Sequence, residues 1–154
     1  MFPKSLTTIE NYVFRNCNTL KHIFIPKTIT SIGISPSSSS NINSICNQCL
    51  ELESIVVNNE NPVYDSRDNC NAIIETSTNT LICGCKNTII PNNITKINNY
   101  AFNGINISNI TIPNSVTTIG TRAFEQAFDV NKKLYIPASV TNIQNYAFNG
   151  CNIS

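Results

Sequence analysis

The sequence predicts a β-rich repeat solenoid, and three observations carry that prediction. The first is a frame of prolines. Aligning the 154-residue chain on Pro3, Pro26, Pro91, Pro113 and Pro137 fills five apolar columns. Three residues after each Pro stand Leu6, Ile29, Ile94, Val116 and Val140, and six after stand Ile9, Ile32, Ile97, Ile119 and Ile143. Val13-Phe14, Ala101-Phe102, Ala123-Phe124 and Ala147-Phe148 fill the tenth and eleventh positions, and Cys17, Ile105, Ala127 and Cys151 the fourteenth. The ungapped steps are 23, 22 and 24 residues, a spacing typical of stacked repeats. The second observation is the text between columns. Ile and Thr suit a pleated, half-buried surface, and the abundant Asn and Ser suit turns. The third is a hydrophobic content of 41%, regularly spaced, which excludes disorder.

Each unit opens with a short strand, such as Asn109–Ile112, that ends at Pro. Proline has no N–H to give to a ladder, so it belongs at a strand end. A second extended piece follows, such as Ser115–Ile119, and then a compact or short helical turn carrying Ala-Phe. One unit cannot bury its own apolar residues. Stacked units can, each covering the next at the inter-strand spacing of about 4.8 Å. The expected result is a single domain over residues 1–154, with a strand sheet along one face.

Two stretches break the frame. Residues 34–42 contain Ser35-Pro36-Ser37-Ser38-Ser39-Ser40, the text of a loop insertion. The frame resumes at Ile45-Cys46-Asn47-Gln48-Cys49. There Cys46 takes the Phe column and Cys49 the column of Cys17 and Cys151. The next strand is Ser54–Val57, with Asn58 in the place of Pro. Residues 59–85 form a variant unit. Within it, Ala72–Glu75 and Thr80–Cys83 flank Thr76-Ser77-Thr78-Asn79, which reads as a β-hairpin with a four-residue loop.

Composition excludes several function classes. Ten Lys and Arg stand against nine Asp and Glu, a net charge of +1 with 12% charged residues. A nucleic-acid binder that neutralises phosphates needs a basic stripe, and none is present. No apolar run approaches a membrane span, and the segment from Met1 to Thr8 lacks a signal-peptide core. Phosphate-binding glycine loops and nucleophile-elbow motifs are missing. His22, the single histidine, would have to serve any Cys/His pair with Cys17, Cys46 or Cys49, and no orienting acid is apparent. It reads as an exposed strand residue. Glu51 and Glu53 read as solvated charge, and Asp65, Asp68 and Glu75 are too dispersed for a calcium loop. The sequons at Asn93, Asn106, Asn109 and Asn152 are no more than this Asn- and Ser/Thr-rich text yields by chance.

The seven cysteines have three readings. Cys46-x-x-Cys49 with Cys83-x-Cys85 resembles zinc-ligand spacing. Yet Cys46 and Cys49 sit in columns filled elsewhere by Phe, Ile or Ala, which makes them small core hydrophobes, and no metal is assigned. Disulfides are the third reading. The odd count leaves a thiol over, and Cys70 with Cys85, at opposite ends of the variant unit, is the first pair to check.

The text I-P-x-x-[VI]-T-x-I-x-x-x-A-F-x-G-C resembles the BspA-like leucine-rich repeats of bacterial and protist surface proteins. The stretch "NPVYDSRDNCNAIIETSTNTLICGCKNTIIP", residues 61–91, resembles a variant unit of that family. The resemblance covers essentially the whole chain except residues 34–42. It implies a right-handed leucine-rich-repeat solenoid, a cell-surface or secreted location, and a host or matrix protein as partner in adhesion. The lack of a signal peptide in this chain leaves the cytoplasm open. It departs from the family pattern in opening at Pro3 and closing at Ser154 without polar caps, which solenoids usually carry.

Strand alternation locates the candidate surface. With Ile23/Ile25, Ile110/Ile112 and Leu134/Ile136 facing inward, Phe24, Val56, Ile89, Thr111 and Tyr135 face outward in one column. His22, Ser54, Asn87, Asn109 and Lys133 form the column beside it. An exposed apolar and aromatic stripe is a recognition-surface candidate. The competing account is cross-strand packing by residues of high β-propensity. The Ser35–Ser40 loop is a second contact candidate. The expected function is a non-catalytic module that recognises a protein or other macromolecule and needs no cofactor. The alternative is a structural segment that self-associates through its uncapped ends.

Overall fold

The computed structural model describes residues 2–33, 44–128 and 133–153. The Ser35–Ser40 loop lies outside these residues. Among the described residues ten short strands carry the architecture: β1 (Thr8–Ile9), β2 (His22–Ile25), β3 (Ser31–Ile32), β4 (Ser54–Val57), β5 (Tyr64–Asp65), β6 (Ala72–Glu75), β7 (Thr80–Gly84), β8 (Lys96–Ile97), β9 (Thr118–Ile119) and β10 (Asn142–Ile143). β2 stops at Ile25, before Pro26, as a residue without an N–H requires.

The strands form three open sheets. β1 pairs with β3 and β2 with β4, both in parallel. The third sheet has six strands in the order β10-β9-β8-β7-β6-β5. Its parallel part registers Thr80↔Lys96↔Thr118↔Asn142. Its antiparallel part is the hairpin expected from the sequence: β6 and β7 pair around Thr76–Asn79, and β5 adds at the edge with Tyr64 opposite Glu75. Asn61 fastens the variant unit to the turn before it. Its Nδ2 donates to Pro26 O and Ile29 O, and its Oδ1 accepts from the N–H groups of Val63 and Tyr64. The Tyr64 hydroxyl accepts from Ile32 N at 2.9 Å, and burial raises its pKa.

The Ala-Phe segments are turns rather than helical turns. Among the described residues the one helical element is the 3-10 turn Arg67–Asn69. The backbone gives the reason. Tyr12 and Asn16, Tyr100 and Gly104, Arg122 and Gln126, and Tyr146 and Gly150 all have φ between 53° and 69°. Two left-handed residues four apart interrupt any right-handed helical run. The turns instead hydrogen-bond to each other along the stack. Phe14 N donates to Ile45 O, Gln48 N to Asn103 O, Phe102 N to Ala123 O and Phe124 N to Ala147 O, at 2.7–3.0 Å. The ladder energy offsets a left-handed cost of about 1–2 kcal/mol per non-glycine residue.

One continuous core runs through the chain. Ile9, Ile32, Ile97 and Ile119 are each 2% exposed or less, and Phe102 and Phe124 are fully buried. Phe102, Phe124 and Phe148 stack with ring centroids 5.0 and 5.4 Å apart and planes tilted by 6°. Cys46, Cys49, Cys70, Cys83 and Cys85 belong to the same core.

The sheets differ from expectation in one respect. Asn109–Ile112 is not a strand, nor is Lys133–Ile136 among the described residues, and most parallel pairing falls on the second extended pieces. The segment beside β4 explains this. Residues 85–90 turn through Thr88 N to Cys85 O, and Ile89 N is taken by Cys70 O. No regular edge is therefore offered to the segment at 109–112. Ile112 is buried, but Ile110, Leu134 and Ile136 are only half-buried.

Candidate interaction surface

The alternation in β2 and β4 positions the stripe. Ile23, Ile25, Ile55 and Val57 face the core, while Phe24 and Val56 point out and register opposite each other. Phe24 is 52% exposed, Val56 46%, Ile89 72% and Tyr135 75%. Thr111 is exposed. The predicted column thus lies outward at every position, on strands at Phe24 and Val56 and on irregular backbone at Ile89, Thr111 and Tyr135. In the column beside it, His22, Asn87, Asn109 and Lys133 are exposed and Ser54 is half-buried. His22 lies in β2 opposite Ser54.

An apolar groove of about 870 Å³ opens at the N-terminal end of this face, lined by Phe2, Phe14, Leu20, Phe24 and Pro26 among others. Lysines and glutamates edge the surface. Lys27 Nζ donates to Glu60 at 2.6 Å and Lys86 Nζ to Glu51 at 3.0 Å, and Lys21 stands 3.9 Å from Glu53. Exposed pairs of this kind contribute about 0–1 kcal/mol each. Glu51 and Glu53 are therefore charge on a wet rim, paired with lysines from neighbouring layers.

A polar cluster on the turn side carries no signature in the sequence. Glu125, 8% exposed, accepts from Asn103 Nδ2 at 2.7 Å, Asn149 Nδ2 at 2.9 Å and Arg122 at 2.9 and 3.0 Å. The Arg122 guanidinium lies 4.9 Å from the centroid of the Tyr146 ring. The charged acceptor meets donors from three successive turns and ties them together, as a satisfied buried network does.

All seven cysteines are free, Cys70 and Cys85 included. Cys70 Sγ and Cys85 Sγ donate instead to the Ala72 and Asn71 carbonyls. Among the described residues no three His, Cys, Asp or Glu side chains are grouped to hold a metal ion. Burial pushes the Cys70 thiol up to about 11 and raises Cys46 well above the usual range, with Cys49 and Cys83 beside it. Hydrogen bonding from Cys46 holds Cys49 below its usual value. Thiolate is the reactive form, so burial and a raised pKa both suppress modification. In the native state a small alkylating reagent is expected to label the half-buried Cys17 and Cys151 first, and the five buried thiols only on unfolding. Mass spectrometry after unfolding should find seven labels. Five would reinstate a disulfide.

The described residues form an open stack of strand-and-turn units with no closed sheet, mostly strand with almost no helix. That architecture is the leucine-rich-repeat type. The chain belongs to the BspA type leucine rich repeat family, which it matches in six copies over residues 1–77 and 73–154. No curated protein matches the chain. Among solved structures it is similar to a leucine-rich repeat protein from Eubacterium ventriosum, at 27% identity and a TM-score of 0.69, over 92% of this chain and 36% of that one. It is similar also to a leucine rich cell surface protein from Faecalibacterium prausnitzii, at 25% identity and a TM-score of 0.67, over 99% of this chain and 45% of that one. The pneumococcal vaccine antigen PcpA shares the fold, with a TM-score of 0.68 at 19% identity over 97% of this chain and 42% of that one. The chain thus spans less than half the length of each. No catalytic family is indicated. Among the described residues no helix is long and apolar enough to cross a membrane.

Proposed function

We propose that this chain is a non-catalytic recognition module, a single right-handed solenoid of 22–24-residue units over residues 1–154, that binds another protein as part of a cell-surface or secreted adhesin-like protein. One observation carries the reading: Phe24, Val56, Ile89 and Tyr135 hold large apolar side chains about half to three-quarters exposed at corresponding positions of the repeat frame, with the exposed Thr111 between the last two. Scattered exposed apolar residues need no explanation, but an aligned stripe of them is the usual mark of an interaction surface. His22, Lys133 and Thr111 supply a polar rim around these anchors, the anatomy of a protein interface. The cell-surface protein among the structural relatives supports the location.

The test is a binding panel of host matrix proteins over immobilised chain, read by surface plasmon resonance. Phe24→Ala with Tyr135→Ala is expected to weaken any hit at least tenfold while circular dichroism stays unchanged. Truncating a central aromatic anchor costs about 2 kcal/mol or more at a typical hot spot. A hit indifferent to both substitutions would move the site off the stripe.

A further inference from the structure

A polar cleft of about 420 Å³ lies on the turn side of the stack, and no residue of the apolar stripe lines it. Its origin is one short side chain. Tyr12, Ser44, Tyr100, Arg122 and Tyr146 occupy the same position of successive turns. The turns are joined in that order: Tyr12 N donates to Ser44 O, Gln48 N to Asn103 O, Tyr100 N to Thr121 O and Arg122 N to Asn145 O. Ser44 is small and buried, so the second turn leaves a gap between Tyr12 and Tyr100. Burial and then the nearby Tyr100 raise the Tyr12 pKa. The cleft is thus closed along the stack, on both sides, by turns of this chain.

The neighbouring position of each turn supplies the floor. Asn47 is 6% exposed, Asn103 7% and Glu125 8%. Glu125 accepts from Asn103 in the turn before it and from Asn149 in the turn after it. Asn47 lies one turn further away and is not reached. Its Oδ1 is buried and accepts no hydrogen bond. Buried polar atoms without a partner are few in folded proteins, and each calls for an explanation. Charge is also unbalanced here. Arg122 is committed to both oxygens of Glu125. Arg15 is exposed and has no carboxylate partner among the described residues, only the Tyr12 ring 5.7 Å from its guanidinium. Two guanidiniums therefore line the cleft against one carboxylate.

We infer that this cleft binds a sugar ring that bears a carboxylate, as in the hexuronate units of an acidic polysaccharide. The volume falls within the roughly 300–1,000 Å³ of small-ligand sites. The excess of one positive charge calls for one negative charge, and the planar fork of Arg15 matches a carboxylate with two parallel hydrogen bonds. A ring hydroxyl donates to Asn47 Oδ1 and removes the orphaned acceptor. The flat faces of Tyr12 and Tyr100 suit the C–H face of a pyranose, an apolar body with a polar edge. Gln48 Nε2 meets Gln126 Oε1 at only 3.5 Å, beyond the usual hydrogen-bond range, so both amides can turn to ligand hydroxyls at the far edge. A phosphate ion would use the guanidinium and leave the rings and amides idle. An acidic side chain of a protein brings the carboxylate without the adjoining hydroxyl. The inference does not depend on the stripe being a binding site.

Saturation-transfer NMR of the purified chain with millimolar galacturonate and glucuronate tests it. Transfer to the ring protons of at least one of the two is expected. Galactose and glucose, which lack the carboxylate, and acetate, which lacks the ring, should compete at least tenfold more weakly. Arg15→Gln is expected to weaken uronate binding at least tenfold. Its side chain is exposed, so the fold should be unchanged by circular dichroism. Tyr100→Ala should weaken binding by a similar factor through loss of the ring wall. Absence of transfer to both uronates would overturn the inference. So would acetate or inorganic phosphate binding as tightly as the uronates, which would reduce the site to a lone cation. Uronate binding that survives Arg15→Gln, or that is abolished by Phe24→Ala with Tyr135→Ala, would also overturn it, the latter by placing the sugar on the stripe.

Discussion

Phe124→Ala is expected to lower stability by about 3–5 kcal/mol, the range for removing a fully buried Phe from a packed core. The side chain is fully buried and lies between three rings. Phe102 is 5.0 Å away, Phe148 5.4 Å and Phe128 6.0 Å, centroid to centroid. Removing it leaves a cavity that the neighbours cannot fill, because each is pinned by its own turn. Phe124 N is bonded to Ala147 O and Phe102 N to Ala123 O, so closing the gap would tear the ladder. Loss of the aromatic contacts adds about 0.5–1.5 kcal/mol per pair beyond area. Natural domains hold only about 5–15 kcal/mol in total, so this one truncation removes a large share. Phe148→Ala serves as the internal comparison. That ring is half-buried, with one stacked neighbour, and its loss should cost clearly less. Urea unfolding of both variants measures the difference. Equal midpoints would mean that the rings fill space independently and that no ladder exists.

The ring ladder was legible in the sequence because a stacked layer leaves little freedom at its centre. Each unit must place an apolar group of similar size above its neighbour, so Phe14, Phe102, Phe124 and Phe148 recur at one position. The hairpin was legible for a different reason. Two short apolar runs, Ala72–Glu75 and Thr80–Cys83, around four turn-forming residues are a local signal, and β6 and β7 pair directly across that turn. The stripe was legible where strands exist. In β2 and β4 alternation gives the right faces, with Ile23, Ile25, Ile55 and Val57 inside and Phe24 and Val56 outside.

Alternation did less well beyond β4. Ile110, Leu134 and Ile136 are half-buried because their backbone is not extended in a ladder, and that depends on what the neighbouring unit offers. Residues 85–90 commit their hydrogen bonds elsewhere, a tertiary fact with no local mark. The turns hid their conformation too. Left-handed residues are normally betrayed by Gly or Asn. Here Tyr12, Tyr100, Arg122 and Tyr146 hold one such position, and Asn16, Gly104, Gln126 and Gly150 the other. Ladder bonds between turns hold the first position whatever its side chain, so Tyr and Arg there do not report the backbone, whereas Asn16, Gly104 and Gly150 at the second position do. The Glu125 cluster was hidden likewise, since its donors come from residues 22 and 24 positions away.

Gly84 shows how a ligand-like pattern can arise from packing, and Gly84→Ala is the sharpest test of it. The segment Cys83-Gly84-Cys85 has the look of paired metal ligands, but its distinctive residue is the glycine between the thiols. Gly84 closes β7, buried, with its N–H bonded to Ala101 O at 2.9 Å. A Cβ at this position would stand 2.0 Å from Cε1 of Phe102, 2.5 Å from Cζ and 2.7 Å from Cδ1. These contacts lie well inside van der Waals distance, and the ring cannot retreat because it is stacked on Phe124. Overpacking of this severity is expected to cost about 3 kcal/mol, the upper end of the usual range. A domain of this size then melts roughly 6–12 °C lower. The cause can be separated from a generic loss of strand quality by a double-mutant cycle. With Phe102→Ala in place the obstructing ring is gone, and adding Gly84→Ala should cost nothing further or fill part of the cavity. Strong non-additivity in that direction identifies the ring as the reason for the glycine. Additive losses would assign the glycine to backbone geometry instead, and a Gly84→Ala protein as stable as the wild type would remove Phe102 from the space above β7.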